Sequence, residues 1–336
     1  MTQPSAARRF MRPLTPLYRA AIALRELRLR SGIEAVRRLQ FPVVSIGSLS
    51  AGGSGKTPLT IALAEALAHR GLYVDVLSRG YGRTGSAVMR VDPNGSADEF
   101  GDEPLLIARE SAVPVYVAAQ RYEAGLMAES ALNDPAAPAL HLLDDGFQHR
   151  QLHRDVNILI LDGNDLRDRL LPSGNLREPL GAMRRADVIA IPANNPEVAG
   201  HLERLRWKGR TWHLNRRMEV PSLAGPMVAF CGIARSDQFF AGLEASGLHL
   251  ASRIAFADHH RYEQHDLDCI LGAARSVNAS AFITTEKDRV RLGKLAESFP
   301  ASRPLKSARL IVEIENQDAE VSRILEWLST LRTGQS

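Results

Sequence analysis

At 336 residues, with 45% hydrophobic and 24% charged side chains, the chain is longer than one ordinary hydrophobic core and too apolar to be disordered. Its two cysteines, Cys231 and Cys269, show no CxxC spacing, which excludes a disulfide framework and a cysteine zinc site. The net charge of +4 hides an asymmetry. Residues 1–40 hold nine arginines (Arg8, Arg9, Arg12, Arg19, Arg25, Arg28, Arg30, Arg37, Arg38) against Glu26 and Glu34, nine minus two or +7, leaving −3 for the remainder. A basic N-terminus on a mildly acidic body implies a local anionic partner, lipid headgroups or nucleic acid, rather than a globally basic nucleic-acid binder.

Within residues 14–27, Leu14, Leu17, Ala20, Ala21, Leu24 and Leu27 fall at helical spacing, with Arg19, Arg25 and Arg28 mostly off that stripe. This predicts a basic amphipathic helix, which either lies in a membrane interface or packs on its own domain. No apolar run reaches 18 residues, and the N-terminus lacks the h-region of a secretory signal. The expectation is a cytoplasmic protein without a transmembrane helix.

From residue 42, short apolar runs alternate with helical patterns: FPVVSIG, a helix from Pro58 to Ala68, YVDVLSRG, a helix over 103–110, PVYVAA, a helix over 121–132, then ALHLLDD, VNILILDG and ADVIAIPA. Such alternation predicts an α/β fold with a mostly parallel sheet flanked by helices. Prolines and glycines cluster between 193 and 225 around a short TWHLN run. We therefore expect an N-terminal segment over 1–40, a core domain over 41–205, a linker over 206–225 and a smaller α/β domain over 226–336 closed by a C-terminal helix.

SLSAGGSGKT, residues 48–57, follows the first strand and opens a helix, as a phosphate-binding P-loop must. Backbone N–H groups of Ser50, Ala51, Gly52, Gly53, Ser54 and Gly55 can face phosphate oxygens, with the helix N-terminus adding positive potential. Lys56 should reach the β- and γ-phosphates and Thr57 should ligate Mg²⁺. Ser50 stands where the common pattern has glycine. The second half of such a site is acidic: Asp144 and Asp145 end the ALHLL strand at the carboxyl edge of the sheet, where they can hold Mg²⁺. These features imply ATP and Mg²⁺ but leave the acceptor open. A membrane-targeted P-loop ATPase switch is the rival reading, although that class carries a lysine where this chain has Ala51.

Seven segments carry more information together: GSLSAGGSGKTP at 47–58, LSRGYGR at 77–83, GDEP at 101–104, DDGFQHRxLxRD at 144–155, LPSGNLREP at 171–179, ADHH at 257–260 and TTEKD at 284–288. In this order the chain resembles the lipid A 4'-kinases (tetraacyldisaccharide 4'-kinases) of Gram-negative bacteria, whose loop similarly lacks the first glycine. The resemblance implies transfer of the ATP γ-phosphoryl to the 4'-hydroxyl of a tetraacylated disaccharide 1-phosphate at the cytoplasmic face of the inner membrane. It also implies peripheral membrane contact, and neither nucleic acid nor an obligate protein partner.

By the same resemblance Asp102 is the candidate base and His259 its partner, with adjacent His260 an alternative. Read alone, Asp102 is equally a helix N-cap. Glu103 is expected near Mg²⁺ or the loop, Arg177 and Glu178 on the substrate side, and Arg79 at a phosphate, ranked below Arg177. His149 and His153 have HxxxH spacing but no third ligand at a telling distance, so His149 reads as part of the DDGFQH signature. TEKD has its lysine and aspartate adjacent, unlike the guanine-reading NKxD.

Overall fold

The computed structural model describes residues 11–134 and 137–333; Arg8 and Arg9 of the basic N-terminus lie outside them. The apolar runs become strands: β1 (Val43–Ser48), β2 (Tyr73–Ser78), β3 (Met89–Arg90), β4 (Val115–Val117), β5 (Ala139–Leu143), β6 (Val156–Ile160), β7 (Val188–Pro192), β8 (Arg210–Glu219), β9 (Pro226–Cys231), β10 (His249–Ala255), β11 (Ala281–Thr285) and β12 (Leu305–Ile314). They join one sheet in the order β10-β9-β11-β12-β8-β7-β6-β1-β5-β2-β4-β3. Pairing is parallel except at β12/β8 and at the β3/β4 edge. β1 and β5 are buried along their whole length, which is why they read as unbroken apolar runs rather than alternating ones.

The expected linker over 206–225 instead carries β8, ten residues long, hydrogen-bonded to β7 on one side and β12 on the other. Its burial alternates, with Trp212 and Leu214 inward, but charged residues at both parities mask the period-two pattern. The sheet therefore passes without a break from the P-loop half to the C-terminal half. The closing helix, Gln317–Thr333, places Val321, Ile324 and Leu328 in the same apolar cluster as Val44, Ile46 and Leu59. It thus packs on the core of the first half, covering the helix Lys56–Ala68.

A buried ionic cluster lies on the other side of that half. His141 on β5 is 0% exposed; its Nδ1 is 2.9 Å from both Asp75 oxygens, and its Nε2 is 3.4 Å from Glu129 Oε1. Glu129 Oε1 also accepts the backbone N–H groups of Gln40 and Phe41, tying the chain that precedes β1 to the sheet. Burial alone would depress the imidazole pKa, but the Asp75 and Glu129 carboxylates outweigh it and push His141 up to about 9 from 6.5. A raised folded-state pKa gives stability that is full below 6.5 and is lost as pH rises through 9. We expect His141→Leu to cost about 3–5 kcal/mol in urea unfolding at pH 6, because two buried carboxylates lose their cation. The cost should shrink by pH 9.5.

Candidate active site

β1 delivers the chain at Ser48 into the P-loop. Gly52, Gly53 and Gly55 adopt φ of 75°, 64° and 87°, and no side chain caps the first turn of the helix Lys56–Ala68 that follows. Its amides are thus left for an anion. Lys56 is held within its own loop, Nζ lying 3.3 Å from Ser48 Oγ, 3.4 Å from Ser54 Oγ and 3.6 Å from Asp145 Oδ1. The LPSGNLREP segment docks against the start of this loop, since Ala51 N donates to Asn175 O and Arg177 N donates to Leu49 O. That pairing brings Arg177 to the site from more than a hundred residues away.

The two adjacent aspartates have different surroundings. Asp144 is fully buried and accepts from Thr60 Oγ1 (3.3 Å) and Ser78 Oγ (3.4 Å). Burial, then the charges of Glu103 and Asp145, push its pKa up to about 7 despite Lys56. Both oxygens of Asp145, by contrast, are taken by Arg177 (2.7 and 2.6 Å), and the Lys56 and Arg177 cations overcome burial to hold it well below the usual carboxylate range. Glu103 is paired with Lys287 Nζ at 2.5 Å, whose charge overcomes burial and lowers its pKa. The chemistry of this set fits a Mg²⁺ ion: Asp144 is a buried carboxylate held beside the like charges of Glu103 and Asp145, and Thr57 supplies a hydroxyl at the start of the P-loop helix. Asp144 is the better placed of the two expected aspartate ligands, because Asp145 is committed to organising Lys56 and Arg177.

Asp102 is the first residue of the helix Asp102–Glu110, and its Oδ1 accepts the Glu103 amide at 2.9 Å; the N-cap position falls on Gly101 instead, and no side chain caps this helix, so the N-cap expected of Asp102 from the sequence alone does not form. The other oxygen faces the C-terminal half, where His259 Nδ1 is 3.2 Å away and Arg291 Nε donates at 2.6 Å. Burial favours protonation of Asp102, but the His259 hydrogen bond and the Arg291 and Lys287 charges outweigh it and hold the group ionised. The Asp102 hydrogen bond, against burial, raises His259. Of the two neighbouring histidines, His260 points the other way, 2.9 Å from Asp266 at the start of the helix Gln264–Ser276. Sequence reasoning missed Arg291 and set Lys287 aside as a failed guanine motif. Their spacing of four residues on the helix Glu286–Leu292 is the signal that both face one partner.

A second basic surface adjoins Arg177. Arg121, buried at the start of the helix Arg121–Ser130, has its pKa pushed down to about 10 by burial and by the charge of Arg79. Burial, followed by Arg121 and Arg154, pushes His149 down to about 3. Arg121 Nε and His149 Nε2 are buried without hydrogen-bond partners among the described residues. Clustered like charges and unmet donors call for an anion. Arg121 was overlooked, although it follows β4 at the carboxyl edge of the sheet where ligands bind. Arg79 is exposed and lies near enough to add to this field, whereas Glu178 is buried and paired with Arg185. His153 pairs with Arg38 and Asp155.

The P-loop and His259 line one cavity of about 560 Å³, whose walls include Lys56, Thr57, Glu103, Arg235 and Arg291, and Asp102 adjoins it through His259. Comparison with known proteins gives the family. The family model described as Tetraacyldisaccharide-1-P 4'-kinase (LpxK) matches residues 7–329. The chain is 39% identical to the tetraacyldisaccharide 4'-kinase of Koribacter versatilis over 335 residues, covering 94% of this chain and 98% of that protein. It is 39% identical to that of Geobacter metallireducens over 303 residues, covering 82% and 86%. A crystal structure of LpxK from Aquifex aeolicus in complex with ATP superposes with a TM-score of 0.73 at 31% identity, over 96% of this chain and 99% of that one. The chain belongs to the tetraacyldisaccharide-1-P 4'-kinase family.

Proposed function

We propose that this cleft transfers the γ-phosphoryl of ATP to the 4'-hydroxyl of tetraacyldisaccharide 1-phosphate, giving the 4'-phosphorylated lipid A precursor. The observation that carries the reading is one cavity lined by both the P-loop and His259, the hydrogen-bond partner of Asp102. The amides of residues 50–57 hold the triphosphate, and Lys56 leaves Ser48 and Ser54 for its β- and γ-oxygens. Thr57 and Asp144 would hold Mg²⁺, with Glu103 beside them and Asp145 fixing the Lys56 and Arg177 side chains. Bound there, the ion supplies charge neutralisation on the phosphate oxygens. Asp102 aligns the sugar hydroxyl, and the Asp102–His259 pair takes its proton. Arg177, Arg121 and Arg79 suit the acceptor's 1-phosphate, with Glu178 holding Arg185 at the edge of that surface.

The N-terminal helix Thr15–Arg30 supports a lipid acceptor. It docks through polar groups: Thr15 Oγ1 donates to Ser173 Oγ, Tyr18 OH to Arg177 O and Arg25 Nη2 to Gln148 O, and Glu26 pairs with Arg150. Leu14, Leu17, Leu24 and Leu27 face outward, each at least half exposed, with Ile33 and Val36 beyond them. A helix that turns its leucines away from its own protein suits an acyl boundary. No helix among the described residues is long and apolar enough to cross a membrane. We infer peripheral attachment at the cytoplasmic face of the inner membrane. Replacing Leu17, Leu24 and Leu27 with glutamate should lower affinity for anionic vesicles by about two orders of magnitude, from the apolar burial lost, with ATP affinity unchanged. Vesicle affinity equal to wild type would refute the attachment.

The reaction itself is tested with ATP labelled at the γ-phosphorus and tetraacyldisaccharide 1-phosphate in detergent micelles. Label should enter the lipid, and an acceptor lacking the 1-phosphate should show a KM at least about tenfold higher, the value of one strong charge-assisted contact. Release of free phosphate alone would instead favour the ATPase switch.

A further inference from the structure

Among the charged groups of the cavity wall that the mechanism above leaves unused is Arg235. Arg235 lies in the loop that leaves β9, in the C-terminal half, yet rests on the P-loop. A Cβ placed on Gly52 would come within 2.8 Å of Ala234 Cβ, and one placed on Gly53 within 2.8 Å of Arg235 Cγ and 2.9 Å of its Cδ and Nε. The methyl of Ala234 and the side chain of Arg235 therefore cross the glycine face of the loop in contact with it, an approach that any larger residue at 52 or 53 would block. The guanidinium continues to Asp162, just beyond β6, where Nη1 is 3.2 Å from Oδ2. Arg216 shares that oxygen at 3.4 Å and is fixed from its other side by donating to Ser54 O at 2.9 Å. One carboxylate thus serves two guanidinium groups. Arg216 is locked to the loop, whereas Asp162 is the sole hydrogen-bond partner of the Arg235 guanidinium among the described residues.

We propose that Arg235 is a further catalytic residue: an arginine supplied in cis by the C-terminal half, held on Asp162 until ATP binds, that then moves to the oxygens of the transferring phosphoryl group. In the step it serves, the bond between the γ-phosphorus and the β–γ bridging oxygen breaks and ADP leaves with the electron pair. The acceptor oxygen bonds to phosphorus, and its proton passes to the Asp102–His259 pair. Negative charge redistributes over the bridging and equatorial oxygens during this exchange, and a planar guanidinium lying across Gly53 is placed to meet it. Glycines at 52 and 53 then serve two ends at once, exposing amides to the triphosphate from one side and admitting the arginine from the other.

The proposal rests on the P-loop being the ATP site, so the test measures affinity for Mg·ADP and for the non-hydrolysable Mg·AMPPNP alongside kcat, in wild type, Arg235→Gln and Arg235→Lys. Arg235→Gln should lower kcat at least about a hundredfold, the lower side of what an arginine of this kind supplies, with ADP affinity within about twofold of wild type. AMPPNP affinity should fall or stay level, and Arg235→Lys should recover part of kcat. Retained ADP affinity shows that the variant is folded with its P-loop intact. A kcat within about threefold of wild type, or ADP affinity falling as far as AMPPNP affinity, would overturn the proposal. Wild-type protein binding neither nucleotide would overturn the ATP-site reading beneath it.

Discussion

Lys56→Ala is expected to lower kcat by about three orders of magnitude, the scale set by removing one charge aimed at a transition state in a water-excluded site. The side chain is buried and bonded only within its loop and to Asp145, so its removal leaves the sheet and both cores untouched. Circular dichroism and the thermal midpoint should stay close to wild type. Because Lys56 is one of the cations holding Asp145 ionised, the variant also leaves that carboxylate with Arg177 as its principal neutralising partner. A kcat within tenfold of wild type would mean that the loop binds phosphate without this lysine taking part in transfer.

Asp102→Asn should be comparably severe, about a thousandfold in kcat, within the range of a lost general base. Asparagine keeps the shape and the contact with the Glu103 amide but cannot hold the proton of a sugar hydroxyl. It also leaves Arg291 with Asp288 as its one remaining carboxylate partner. Some stability should therefore be lost, since Asp102–Arg291 joins the P-loop half to the C-terminal half. The catalytic and structural losses separate by experiment: ATP affinity should be retained at a temperature where the variant is folded, while turnover is not. Turnover near wild type would remove Asp102 from the chemistry and leave it as an inter-half tether.

How far the sequence disclosed this site depended on the range of the contacts. The P-loop was legible because strand, glycine-rich turn and helix are contiguous, and local backbone chemistry fixes their shape. Asp144 and Asp145 were legible for the same reason, but their division of labour was not, because it is set by Arg177, 32 residues from Asp145 along the chain. The Asp102 partners sit 157 and 189 residues away, at His259 and Arg291. Only the resemblance to a family could propose the first, and the second had only its helical spacing from Lys287 to point to it. The choice between His259 and His260 turns on backbone geometry: His259 adopts a left-handed φ of 58°, and the two rings are directed to different partners.

The fold divided in the same way. Strands buried on both faces were visible as apolar runs, and the helices between them by their period. The strand β8 was hidden because an antiparallel seam at the junction of two parallel sets needs only one inward face, and charged residues stand at both parities, Arg210 and Arg216 with Trp212 and Leu214, and Arg217 and Glu219 on the outward face. Arg291, Lys287 and Arg309 then tie the two halves through Asp102, Glu103 and Glu110. These contacts exist only once β8 and β12 have paired, and no local pattern encodes them.

The central claim is a direct, single transfer between two groups that face each other across one cleft. It is tested most directly by the stereochemical course at phosphorus, using ATP made chiral at the γ-phosphoryl with oxygen isotopes and tetraacyldisaccharide 1-phosphate as acceptor. In-line attack by the sugar hydroxyl predicts inversion of configuration in the lipid product. Retention would reveal two successive displacements through a phosphorylated enzyme group, and would contradict the arrangement of P-loop and Asp102–His259 pair described above.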